Sequence, residues 1–317
     1  MRYALGDVPA QSSAPRVISL LPSATEIVYA LGLGECLVGR SHECDFPAQA
    51  QSLPACTQPQ IDSNAGSAEI DRQVKDRLAR ALSIYRVDLE QLQALRPNVI
   101  LTQDQCGVCA VSRADLEQVL SGFPGTPPKL VSLAPQRLPE VWTSIQLVAD
   151  VLGAAEGGKV LLKALKNRVA DVILRTAALK RRPTVACLEW IEPLMVAGNW
   201  VPELVDLAGG TALFAEAGKH SSWLTWDDLS RQNPDIMVVM PCGFDLERTA
   251  REMPPLTRNP AWAQLRAVRD KRVALTDGSH YFNRPGPRLV ESLEILVEIL
   301  HPRLGQFGHA GRVWRPG

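Results

Sequence analysis

Hydrophobic and polar positions run through one sequence of states twice in this chain. Residues 88–109 (DLEQLQALRPNVILTQDQCGVC) and 227–243 (DDLSRQNPDIMVVMPCG) each hold a short acidic helical segment, a proline (Pro97, Pro234), a β-rich run and a loop with cysteine (Cys106, Cys242). The runs Val99–Thr102 and Ile236–Val239 lack period-two alternation, as strands buried on both faces of a parallel sheet do. The duplication predicts two similar α/β lobes. Parallel sheets bind ligands at the carboxyl ends of their strands, so the loops after these runs should face a cleft between the lobes.

The rest of the pattern fills in that frame. Strand Val17–Leu21 runs into Pro22-Ser23, where Ser23 can cap a helix over Ala24–Leu31 that Gly32 stops. Strand Cys36–Arg40 follows, then an irregular stretch from Ser41 to Ser67, rich in Pro, Gln and Ser. Helices near Ala68–Leu82 and over Arg113–Leu120, with strand Leu130–Leu133, complete the first lobe. From Pro139 to Arg182 the sequence is helix-forming, divided at Gly153 and at Gly157-Gly158. The second piece then has about 24 residues, or about 36 Å, and reads as a stiff strut that limits relative lobe motion. Strand Thr184–Glu189, helix Pro202–Leu207, the second repeat, strand Arg272–Thr276 and a helix from about Pro287 to Leu300 form the second lobe. The expected organisation is an arm (1–15), an N-terminal lobe (16–137), a helical connector (138–182), a C-terminal lobe (183–305) and a tail (306–317).

Composition removes several function classes. Lys+Arg and Asp+Glu number 34 each in 317 residues, so no net field draws nucleic acid or an anionic membrane. No run reaches the roughly 18 apolar residues of a membrane helix. The first 15 residues contain Asp7, Pro9 and Pro15 where a secretory signal needs an apolar core. Together with seven cysteines, odd in number and too sparse for a disulfide scaffold, this favours a cytoplasmic location. Signatures of serine hydrolases, phosphate loops, zinc proteases and dinucleotide folds are absent, and no enzyme activity is expected. A monomer is expected.

Four segments carry a resemblance. RVISLLPSATEIVYALGLGECLVGRSHECDFP (16–47), LRPNVILTQDQCGVCA (95–110), LEWIEPLMVAGNWVPELVDLAGG (188–210) and DGSHYFNRPGPRLVESLEILVEILHP (277–302) resemble the class III solute-binding proteins. These are the cobalamin and iron-siderophore binders, and the cobalamin branch is the nearest. The resemblance implies a rigid two-lobed clamp that holds its ligand between strand-end loops and delivers it to an ABC-type permease. It implies cobalamin or a related corrinoid as ligand, haem or an iron-siderophore as the alternative, and a periplasmic location as the alternative to a cytoplasmic one. One acidic residue on each lobe typically docks the transporter in this family; the matching positions are Glu117 and Asp227. Aromatic residues after the first-lobe strands and an aromatic–Arg segment near the C-terminus contact the corrinoid, which points to Phe46 and to Tyr281, Phe282 and Arg284. His42 and Cys44 stand among the expected aromatics.

The strand-end loops supply the remaining candidates. Lobe one offers His42, Glu43, Cys44 and Phe46, then Gln103 and Cys106. Lobe two offers Trp190, Met195, Asn199 and Trp200, then Trp226, Cys242 and Phe244. Aromatic residues are only 5% of the chain, yet they gather here, and a wide, flat, amide-rimmed ligand suits such walls. Equally, Trp190 and Trp200 can be ordinary lobe packing. The C-x-x-C of Cys106 and Cys109 opens a helix, where a thiol pKa falls. With His42 and Cys44 it forms a candidate metal site, and the Cys44, Cys106, Cys109 and Cys242 loops give a thiol-dependent metal-binding or redox enzyme as a competing function; the plain alternative is buried cysteines packing the loop bases. A neutral His42 imidazole can ligate corrinoid cobalt. Arg288 is expected to pair with a glutamate of its own helix.

Overall fold

A computed structural model describes residues 15–80, 83–104, 116–117, 120–121, 123 and 125–317. The first lobe contains β1 (Val17–Ser19), β2 (Leu37–Arg40), the antiparallel pair β3 (Thr57–Pro59) and β4 (Tyr85–Val87), then β5 (Val99–Gln103) and β6 (Lys129–Leu133). A parallel four-stranded sheet runs β2-β1-β5-β6. The second lobe contains β7 (Thr184–Trp190), β8 (Met195–Val196), β9 (Thr211–Ala212), β10 (Ser222–Trp223), β11 (Ile236–Val239), β12 (Val273–Thr276) and β13 (Trp314–Pro316). Its sheet runs β10-β8-β7-β11-β12-β13, with β9 alongside the start of β7. β7, β11 and β12 are parallel, while β8, β10 and β13 are antiparallel additions. Every residue of β5, β11 and β12 is buried, as unalternating apolar runs require.

The repeat extends to the backbone. Helices Leu89–Leu95 and Trp226–Gln232 each have seven residues and a side-chain N-cap: Asp88 accepts from Gln91 N, and Thr225 from Asp228 N. Both end on a left-handed residue, Arg96 and Asn233, each at φ 46°, immediately before the proline that prevents continuation. One device thus aims β5 and β11 in the same way.

The connector consists of helices Leu138–Val151 and Ala155–Thr176, the second of 22 residues. The break lies only at Gly153, whose φ of +74° closes the turn. Gly157 and Gly158 lie inside the second helix, contrary to expectation. A side chain at Gly158 would meet the Ala149 Cβ at 2.6 Å, so that glycine lets the two connector helices touch. One apolar core then runs without interruption from Val17, Ile27 and Leu101 through Val141, Ile145 and Leu165 to Val185, Leu204, Leu293 and Leu296. Separate clusters fill the other face of each sheet.

Three further expectations are revised. The first helix spans Pro22–Ala30 with Leu21 at its N-cap; proline at the first helical position takes over the start, and the Ser23 hydroxyl is buried with no partner. The Cys36–Arg40 strand begins at Leu37, because Gly34–Cys36 is a 3-10 turn. The expected tail contributes β13, antiparallel to β12. Glu298, on helix Leu289–Leu300 and 4% exposed, holds it. One carboxylate oxygen accepts the backbone N–H groups of Phe307 (2.6 Å), Gly308 (2.8 Å) and His309 (3.2 Å), and the other accepts Trp314 Nε1–H at 2.7 Å.

A hydrogen bond to a charged acceptor contributes about 1.5–3 kcal/mol. Glu298→Ala is therefore expected to cost roughly 3 kcal/mol after water re-solvates part of the freed backbone. Urea denaturation should show the lower midpoint, and limited proteolysis should cut within 305–313 first. An unchanged midpoint with an unchanged cleavage pattern would refute the assignment.

Candidate ligand-binding cleft between the lobes

The lobes meet across a chain of ion pairs. Glu26, on the first helix, is almost sealed from solvent, its side chain 2% exposed. It accepts from Arg288 Nε at 2.8 Å and from the other arm of the same guanidinium. Arg284 reaches Glu26 at 3.3 Å and grips Asp45, in the loop after β2, with two bonds of 2.6 and 3.1 Å. His280 completes the chain, with Nε2 at 3.0 Å from Asp45 and Nδ1 at 2.7 Å from Asp277. Asp277 also caps the short helix Gly278–Tyr281 by accepting from His280 N. The bonds from Asp277 and Asp45 push the His280 pKa up to about 9. Burial works against the Asp45 charge, but the His280 and Arg284 contacts hold its carboxyl well below the usual carboxylate range. Burial likewise disfavours charge on Arg284, and Asp45 with Glu26 overcomes it, raising its pKa. Arg288 therefore pairs across the lobe boundary, not with its own helix as expected; its guanidinium also covers the Phe46 ring at 3.9 Å and the Tyr281 ring at 5.2 Å.

Beside this chain lies a polar group on lobe one. His42 places Nδ1 2.7 Å from Thr57 Oγ1 on β3, and its backbone N–H donates to the same hydroxyl at 3.1 Å. Burial, then the charge of Arg40, lowers the His42 pKa to about 4, so the ring is neutral at physiological pH. Its neighbour is Tyr85 on β4, with ring centroids 5.5 Å apart. The Tyr85 hydroxyl donates to Glu43 at 3.2 Å, and burial pushes the Glu43 carboxyl up to about 7 despite that bond. Cys44 turns the other way. Its thiol is fully buried, accepts from Thr25 Oγ1 at 3.0 Å, and is pushed by burial up to about 12. It is therefore not a thiolate donor beside His42. Among the described residues no group of histidine, cysteine and carboxylate side chains could hold a metal ion.

A second contact line joins the lobes at the start of helix Ser67–Ala79. Trp190 Nε1 donates to the Ser67 carbonyl at 3.3 Å, and Arg248 donates to the Ala65 carbonyl at 2.8 Å. The Ser67 N–H donates to Glu252 at 3.3 Å. The Arg248 guanidinium lies 3.9 Å over the Phe244 ring, which itself packs against Trp190 at 5.3 Å. Lys75 sits over exposed Trp223 at 4.8 Å.

The other candidates divide plainly. Trp200 and Phe282 belong to the core, and Trp200 Nε1 donates to the Phe282 carbonyl at 2.9 Å; both are packing residues, not cleft walls. Trp226 packs on the second lobe's own core. Gln103 is buried at the end of β5. Met195 is half-buried on β8. Asn199 has φ 51° and a buried amide oxygen without a protein partner. Cys242 is half-buried, its N–H bonded to the Glu189 carbonyl at 3.1 Å. Glu117 and Asp227 are exposed. Cys106, Cys109, most of the expected Arg113–Leu120 helix and the arm before residue 15 lie outside the described residues. Sequence reasoning passed over Glu26, Tyr85, Asp277, Arg248 and Glu252. Glu26 alone gave a signal: it is an isolated acid within PSATEIVYALG, and a charge on an apolar helix needs a partner.

Residues 17–279 match the family described as periplasmic binding protein. An uncharacterized ABC transporter substrate-binding lipoprotein, YvrC, of Bacillus subtilis is 22% identical over 303 residues, covering 93% of this chain and 83% of that protein. A vitamin B12-binding protein of Vibrio cholerae is 25% identical over 285 residues, covering 89% of this chain and 87% of that one. Among solved structures, the periplasmic heme-binding protein RhuT of Roseiflexus sp. RS-1 superposes with a TM-score of 0.68 at 21% identity, covering 92% of this chain and all of that one. At that identity the likeness is one of fold.

The His280 bridge carries a pH signature with a definite sign. A pKa raised from 6.5 to about 9 on folding contributes stability that is fully present below pH 6.5 and is lost as pH rises through about 9. The contribution is at most about 3 kcal/mol. Unfolding free energy measured in urea is expected to decline between pH 6.5 and 9.5, and His280→Gln should flatten that decline. Parallel slopes for the two proteins would remove the bridge from the account.

Proposed function

Because the chain belongs to the periplasmic binding protein family, we propose that it holds cobalamin or a related corrinoid between its lobes, unchanged, and hands it to an ABC-type permease. The observation that carries the ligand is the vitamin B12-binding relative, which matches nearly the full length of both chains. The lobe boundary supports it: His42, Glu43, Tyr85 and Phe46 stand at or beside the loop after β2, and Trp190, at the end of β7, meets the first lobe at Ser67. Rings cover the faces of a flat ligand, and neutral polar groups meet its amides. The thiol-centred alternative loses Cys44, whose sulfur is sealed against Thr25. YvrC is named as a lipoprotein and RhuT as periplasmic. That favours a location outside the cytoplasmic membrane over the cytoplasmic one expected from the first residues.

The uninterrupted core through the connector fits a clamp that moves little on loading. Glu117, and Asp227 in the first turn of its helix, are exposed and are the residues we assign to the permease.

Cyanocobalamin mixed with the purified protein should co-elute on gel filtration at close to one equivalent, while haemin and a ferric siderophore should not. Retention of haemin in place of the corrinoid would overturn the ligand assignment. Glu117→Arg and Asp227→Arg should leave cobalamin affinity within about twofold, since surface substitutions away from a site rarely exceed about 0.5 kcal/mol. Each should lower cobalamin uptake by tenfold or more when the protein is paired with its permease in proteoliposomes. Undiminished uptake would remove these two residues from the docking surface.

A further inference from the structure

We propose that the Nε2 atom of His42 is an axial ligand to the cobalt of the bound corrinoid. The inference rests on the corrinoid reading above, and its test fails separately from that reading. The loop after β2 puts His42 three residues before Asp45, which binds Arg284 and His280 of the other lobe. The residue therefore stands at the boundary where the lobes face each other. Its ring is held from one side only. Thr57 Oγ1 binds both the ring Nδ1 and the residue's own backbone N–H, and Thr57 is 2% exposed and bonded to Ser41 Oγ at 3.0 Å. One buried hydroxyl thus fixes the position and the rotation of the imidazole.

That is the outer-shell arrangement metal-ligating histidines use: one nitrogen anchored by a hydrogen bond, the other presented. Nε2 has no hydrogen-bond partner among the described residues. Tyr85 supports the ring laterally at a 48° tilt. The competing donors on the loop are less suited. The Cys44 sulfur is enclosed by Thr25 and the Ser19 carbonyl. Glu43 is a hard oxygen donor already engaged by Tyr85, whereas imidazole suits a borderline metal such as cobalt.

Cobinamide, a corrinoid without a nucleotide base of its own, is the probe, because any axial nitrogen on it must come from the protein. Reduced to the cobalt(II) state and bound to the protein, it should show a triplet nitrogen splitting in its electron paramagnetic resonance spectrum. Protein labelled with 15N only in histidine should turn that triplet into a doublet. His42→Ala is expected to bind cobinamide more weakly, and when loaded at saturating cobinamide it should lose the splitting. The labelled wild type needs no substitution, so a folding defect in the variant leaves the test intact. Cobinamide bound at one equivalent without splitting, a triplet unchanged by labelling, or a splitting that survives in His42→Ala would each overturn His42 ligation while the corrinoid reading stands. Failure to retain any corrinoid would overturn both.

Discussion

The arrangement of this protein depends on finding partners for one buried carboxylate. Glu26 sits on the first helix, surrounded by apolar residues and nearly sealed from water. Leaving such a charge unpaired costs several kcal/mol, and breaking a buried pair costs about 3–5 kcal/mol. The available cations are Arg284 and Arg288, which lie more than 250 positions away at the entry to the last helix. The pairing therefore closes the chain on itself and brings the end of lobe two onto the beginning of lobe one. Packing alone would allow a range of approaches. A bidentate guanidinium–carboxylate contact admits a narrow one.

That contact also decides what the cleft loops can do. Arg284 extends the pairing to Asp45, and Asp45 is joined to His280 and Asp277. The loop after β2 is thus fixed at its far end by an interlobe bond. At its near end His42 is fixed by Thr57, on the small β3–β4 pair. Between them Glu43 and Tyr85 form a polar wall whose carboxyl titrates near neutrality because burial raises it. Sequence resemblance placed Arg284 against the ligand. The structure pairs its guanidinium with Asp45 and Glu26, and that pairing holds the loop after β2 against the second lobe.

Much of this was legible in the sequence, for stated reasons. The duplicated helix–proline–strand unit predicted two lobes because unalternating runs such as IMVV tolerate only a doubly covered sheet, and β5 and β11 are buried throughout. The positions of the strand-end loops followed. What stayed hidden depends on partners distant in the chain. Nothing local in VWRP announces a strand, since β13 exists through β12 and through Glu298. Gly158 reads as a helix breaker until Ala149 is seen against it. Trp200 and Phe282 have the composition of ligand walls, and only their mutual hydrogen bond and core position show them as packing. Cys44 has the local context of a ligand, but the Thr25 hydroxyl that occupies it comes from another helix.

The charge count at the lobe boundary bears on ligand chemistry. Glu26, Asp45 and Asp277 carry three negative charges. Arg284, Arg288 and a His280 protonated below about pH 9 carry three positive ones. The cluster is neutral and its members are hydrogen-bonded to one another, so it offers no unmatched cation to a ligand rimmed with carboxylates. Drawing Arg284 toward such a ligand would leave Asp45 with His280 alone and remove one of the bonds of buried Glu26, which keeps Arg288. A ligand rimmed with amides makes no such demand. It can bond to the Tyr85 hydroxyl and to a Glu43 carboxyl that donates or accepts near pH 7. The electrostatics that hold the lobes together are therefore compatible with the amide-bearing corrinoid proposed above.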